Sequence, residues 1–136
     1  MDTVSDEELL KVIKDFLEMG HVENIVAMFH QDSRYLEWTG AILDDERFNV
    51  RLGVSILFEE LKLRAPDHTE HAIPSLLPLL KSEQPNLRGE AISVLGIIGG
   101  KNAQHHIREM ASDPHPQVRE LVMEILEEFA ENIQQS

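Results

Sequence analysis

A chain of 136 residues with 25 acidic and 12 basic side chains carries a net charge of −13, which repels phosphate backbones and anionic headgroups and argues against nucleic acid or a membrane as partner. The absence of cysteine excludes disulfides, thiol nucleophiles and zinc sites built on cysteine. The length suits one domain with a modest core, no window approaches the ~18 apolar residues of a membrane span, and the acidic N-terminus lacks the apolar stretch of a signal peptide, so a cytoplasmic protein is expected.

Strand patterns are nearly absent, whereas helical periodicity recurs along the chain. Ser5 and Glu8 form a capping-box pair ahead of LLKVIKDFLEMG, with Gly20 as the natural stop. A short helix is expected over about 22–30 and another over about 34–43. A longer one runs over about 48–63 and ends before Ala65-Pro66. Asp67 with Glu70 reads as a second capping box opening AIPSLLPLLK, a helix that Pro78 should kink. The stretch NLRGEAISVLGIIGGK forms the next helix, closed by Gly99-Gly100. Its residues Leu87, Ala91, Val94, Leu95 and Ile98 make one buried stripe, but Ile92 and Ile97 lie off it. A helix apolar over more than half its circumference has to be covered on two sides. Asn102 is expected to cap HHIREMAS, and Asp113-Pro114 to cap and start a last helix ending near Ile133.

Three of these helices align without gaps. The segments 49–58, 86–95 and 117–126 each carry an aliphatic residue followed by arginine (Val50-Arg51, Leu87-Arg88, Val118-Arg119), then apolar residues at fixed offsets. Acids precede each arginine: Asp44 and Asp45, then Glu83, then Asp113. Such internal repetition is the signature of a solenoid. The motif resembles the second helix of a HEAT repeat, in the HEAT-like variant also found in phycobilisome-lyase repeats, and the resemblance covers about residues 33–131. It implies an all-α superhelix of about four helical hairpins. A divergent N-terminal capping hairpin is expected at 5–31, with repeats at 33–64, 69–99 and 102–132. It also implies a ladder in which Arg51, Arg88 and Arg119 bridge acids of the inter-helix turns, Asp45 and Asp113 among them. Arginine's planar fork suits that role.

The resemblance implies a further expectation, a concave face along the second helices. The positions opposite the buried set of Val50, Val54, Leu57, Phe58 and Leu61 are Leu52, Ile56 and Glu60. Their equivalents are Gly89, Ser93 and Ile97, then Glu120, Glu124 and Glu128. This surface grades from apolar through small to acidic. It suits a protein partner with an apolar anchor followed by a basic segment. Leu52, Ile56, Ser93, Ile97, Glu120, Glu124 and Glu128 are therefore the candidate contact residues.

Enzymatic alternatives find less support. His68 and His71 with Glu70, or the pair His105-His106, have the spacing of metal ligands. A HEAT-like hydroxylase builds its di-iron site from His-Glu dipeptides, and this chain contains none. A bilin-lyase relative would need a tetrapyrrole motif, and a HEAT-like DNA glycosylase a basic, aromatic-lined groove. Neither pattern is present. The reading is a non-enzymatic scaffold without metal or cofactor, its alternative a small lyase- or hydroxylase-type enzyme or metal-binding protein. Tyr35 and Trp38 share a face at the expected joint between cap and repeats, as core or as an interface anchor.

Overall fold

The computed structural model of the protein describes residues 4–135. It is an all-α superhelix of four hairpins without strands among the described residues. Helices α1 (Asp6–Glu18) and α2 (Val22–Gln31) form the first hairpin. The second joins a 3-10 turn (Ser33–Trp38) and the short α3 (Thr39–Leu43) to α4 (Phe48–Arg64). The third passes through 3-10 turns at Thr69–Ala72 and Leu77–Lys81, with α5 (Ile73–Leu76) between them, into α6 (Pro85–Ile98). The fourth pairs α7 (Gly100–Glu109) and a 3-10 turn (Met110–Ser112) with α8 (Pro116–Gln135).

The core follows the repeat pattern. Val50, Val54, Leu57, Phe58 and Leu61 of α4 are buried, as are Leu87, Ala91, Val94, Leu95 and Ile98 of α6. Ile92, off the main stripe, is also fully buried. Helix α6 packs against α4 on one flank and α8 on the other, which is why it needs apolar residues around so much of its circumference. Each such Val, Leu, Ile or Phe side chain, fully buried, contributes about 1.5–3 kcal/mol.

The ends of the helices show where local sequence decides and where distant packing overrides it. Ser5 Oγ accepts from Glu8 N–H at 3.1 Å, and Gly20 follows α1 at φ 87°. Gly99 and Gly100, at φ 68° and 80°, turn the chain from α6 into α7 through conformations that side chains disfavour. Helix α7 starts there, so Asn102 lies inside it and caps nothing. The expected capping box at Asp67 and Glu70 is absent: the chain makes a 3-10 turn, with Thr69 Oγ1 donating to the Pro66 carbonyl at 2.9 Å. Pro78 lies at the start of the 3-10 turn Leu77–Lys81 that follows α5, instead of kinking one continuous helix. The segment around 34–43 is likewise a 3-10 turn running into a short helix. Helix α8 starts at Pro116, not Pro114, and the Asp113 carboxylate caps the turn before it by accepting from the His115 N–H at 2.9 Å.

One close approach sets the second and third hairpins together. At Gly40 an added Cβ would lie 1.9 Å from the Ser75 carbonyl oxygen, and the Gly40 N–H donates to Ser75 Oγ at 2.9 Å. Tyr35 and Trp38 lie edge-to-face at 5.2 Å, and Tyr35 stacks on Phe29 at 5.8 Å. Both are partly buried against the core, so the pair covers the joint between the first hairpin and the repeats.

Candidate protein-binding surface

The arginines position the turns that lead into the long helices. In each repeat the guanidinium Nη1 donates to the carbonyl six residues earlier: Arg51 to Asp45 at 2.8 Å, Arg88 to Ser82 at 2.8 Å, Arg119 to Asp113 at 2.7 Å. Arg88 goes further. Its Nε and Nη2 reach Asp113 Oδ2 and Oδ1 at 2.8 and 2.9 Å, a bidentate pair between the third and fourth hairpins. Both residues are buried. The Arg88 hydrogen bonds hold the Asp113 carboxyl below its ordinary range against the opposing effect of burial.

Arg51 and Asp45 are arranged differently from the expected ladder. Arg51 reaches backbone carbonyls and, among the described residues, no carboxylate, while the Asp45 carboxylate receives Arg47 and Lys14. Asp45 is held well below the usual carboxylate range, chiefly by Arg47. Arg47 also reaches Asp15 at 3.0 Å and Glu18 at 3.3 Å, so it ties α1 to the turn before α4. Sequence reasoning missed Arg47 because it lies outside the repeated dipeptide; three acids on one cation become visible only once α1 is placed. Arg119 likewise donates to backbone carbonyls, those of Asp113 and Pro114.

Along α4 an apolar row faces outward. Phe48, Leu52 and Ile56 stand one turn apart and remain 61%, 45% and 40% exposed. The Arg51 guanidinium lies over the Phe48 ring, 5.8 Å from its centroid. Leu52 and Ile56 line an open groove of about 660 Å3 between α4 and the α1–α2 turn, with Met19, Val22 and Val26 on its apolar side. Glu18, Glu23, Glu60, His21 and Arg64, with Asn24 and Asn49, make the polar part of that lining.

Ser93 lies in a second groove of about 350 Å3, where Gly89 faces Leu121, and Phe48 and Arg51 contribute from α4. Ile97 is partly buried against the core. Glu120, Glu124 and Glu128 are exposed on α8 and line neither groove. Leu52 and Ile56 thus come together, Ser93 sits in the adjoining groove, and the three glutamates form a separate acidic row. Phe48 escaped the sequence reading because the repeat alignment matches it to Pro85 and Pro116, at the starts of their helices; such a position does not declare whether a neighbour covers it.

His68 and His71 lie with ring centroids 6.5 Å apart, and His105 and His106 5.3 Å apart. Among the described residues no three histidine or carboxylate side chains form a set able to hold a metal. No helix among them is long and apolar enough to cross a membrane.

Repeated helical hairpins, arginine-anchored turns and an open face along the second helices define an α-solenoid. Residues 36–127 match the family model for HEAT repeats, and the chain belongs to that family. The match leaves α1 and α2 outside it. No curated protein and no solved structure matches the chain. HEAT repeats commonly act as protein-interaction scaffolds, and the family is in general non-enzymatic.

Proposed function

We propose that this protein is a non-enzymatic interaction module that holds a segment of another protein against the second helices of its repeats. The contact set is Leu52, Ile56, Ser93 and Ile97, joined by the acidic row Glu120, Glu124 and Glu128, with Phe48 added to the apolar end. The observation that carries the reading is the exposed row on α4. Three large apolar side chains one turn apart, beside an open groove, form the kind of patch that marks an interaction site. The first groove takes an apolar anchor, and the net charge of −13 selects basic residues around it over nucleic acid or an anionic membrane. A cytoplasmic setting is in keeping with a cysteine-free chain, and no cofactor is invoked.

Selection from a random-peptide library displayed on phage tests this directly. Enriched sequences should pair Leu, Ile, Phe or Met with Lys or Arg. They should bind Leu52→Glu/Ile56→Glu protein at least tenfold more weakly. Enrichment of acidic sequences, or undiminished binding to the double variant, would overturn the reading.

A further inference from the structure

The turns before α6 and α8 are built alike. Ser82 and Asp113 each follow a 3-10 turn and share a backbone conformation, φ −60°, ψ 146° and φ −53°, ψ 141°. Each donates its N–H to the carbonyl three residues earlier, at 3.1 Å in both cases. Each side chain accepts from the N–H two residues on: Ser82 Oγ from Gln84 at 3.1 Å, Asp113 Oδ1 from His115 at 2.9 Å. Each carbonyl receives Nη1 of the arginine six residues later. Ser82 is therefore the structural counterpart of Asp113.

By the repeat alignment, the arginine of the preceding hairpin that corresponds to Asp113 is Arg88, and the one that corresponds to Ser82 is Arg51. Arg88 meets Asp113 with Nε and Nη2. Its counterpart Arg51 has an Nε that is buried without a hydrogen-bond partner among the described residues, beside a cavity of about 470 Å3 that Gln84 of the Ser82 turn also lines. A serine hydroxyl is too short, and has one oxygen too few, for the bidentate contact that the carboxylate makes. Two independent features thus occupy equivalent places in the repeat: a side chain held in the rung position without an anion, and a buried guanidinium nitrogen without an acceptor among the described residues.

We propose that Ser82 is a phosphorylation site, and that its phosphate supplies the rung between the second and third hairpins by accepting from Arg51. A nucleoside-triphosphate-dependent protein kinase is the donor. Ser82 Oγ bonds to the γ-phosphorus, the bond from that phosphorus to the β-phosphate oxygen breaks, the nucleoside diphosphate leaves, and the hydroxyl proton passes to the kinase's base. Ser82 is partly exposed and its neighbours Lys81, Glu83 and Gln84 are exposed, so the hydroxyl lies on an accessible turn. A phosphoserine dianion opposite arginine forms short, charge-assisted hydrogen bonds. Asp44, Asp45 and Glu46 line the same cavity and oppose it. Asp45 is already neutralised by Arg47 and Lys14, and the exposed Asp44 and Glu46 are screened by solvent, so the partly buried guanidinium dominates.

The test uses the whole chain with phosphoserine placed at position 82 during synthesis, beside unmodified and Ser82→Asp protein, each with Arg51 and with Arg51→Gln or Arg51→Lys. Phosphoserine should raise the melting midpoint by about 3–6 °C with Arg51, and by less than a third of that in Arg51→Gln. Arg51→Lys, which keeps the charge but loses the fork, should recover only part of the rise. A fall, or an equal rise in every background, would overturn the rung. Mass spectrometry of the protein from its own cell should find phosphate on Ser82, and recovery of that peptide solely unmodified would overturn the modification.

Discussion

Arg88 and Asp113 are buried, face each other bidentately and join two hairpins. Removing one member leaves the other as an uncompensated buried charge. Arg88→Ala should therefore cost about 3–5 kcal/mol, a fall in melting midpoint of roughly 10 °C or more. Arg119 donates to two backbone carbonyls but is exposed and meets no carboxylate among the described residues, so Arg119→Ala should cost only about 1 kcal/mol. Thermal melts of the two variants check this, and equal losses would contradict a special role for Arg88. The pair also sets an acid dependence. Because the Asp113 pKa is lowered on folding from its ordinary 3.8, its stabilisation is complete above that value and fades as pH falls through the folded one. The stability gap between wild-type and Asp113→Asn protein should be constant near neutrality and narrow below about pH 4, as denaturant titrations at several pH values would reveal.

At the level of elements, the spacing of glycines separates close approach from mere small size. A methyl at Gly40 would overlap the Ser75 carbonyl and force the second and third hairpins apart, so Gly40→Ala should destabilise by about 1–3 kcal/mol. A methyl at Gly89 would meet Leu121 Cδ2 at an ordinary 3.6 Å, so Gly89→Ala should be neutral or stabilise by up to about 1 kcal/mol. Opposite signs in paired denaturant titrations are the expected result. These elements also show why some of the fold could be read from the chain and some could not. The long helices α4, α6 and α8 announce themselves, because burial repeats every three or four residues and the aliphatic-arginine pair marks each start. The stretch 66–81 does not. Its prolines and its packing on α3 favour 3-10 turns over the capped helix that Asp67 and Glu70 suggest. Asp113 shows a related limit: its local hydrogen bond to the His115 N–H accords with its place in a turn, but its pairing with an arginine 25 residues away depends on how the hairpins dock.

For the whole molecule, the candidate surface was legible where it depends on one helix and illegible where it depends on neighbours. Leu52 and Ile56 follow from the face opposite the buried stripe of α4. That they border a groove with Met19 and Val22 depends on how the first hairpin docks, which no repeat motif encodes. The row Glu120, Glu124 and Glu128 has like charges one turn apart, each pair costing a few tenths of a kcal/mol when unrelieved. A cationic segment reaching α8 would relieve that repulsion, so binding should weaken as salt rises, and Glu120→Lys/Glu124→Lys should weaken it with helical content unchanged by circular dichroism. The measurement that tests the account most directly is hydrogen–deuterium exchange of the protein alone and with a selected basic amphipathic peptide. Protection should concentrate in the α1–α2 turn and in α4, with α7 exchanging as in the free protein. Protection confined to α7, or absent from α4, would contradict the account.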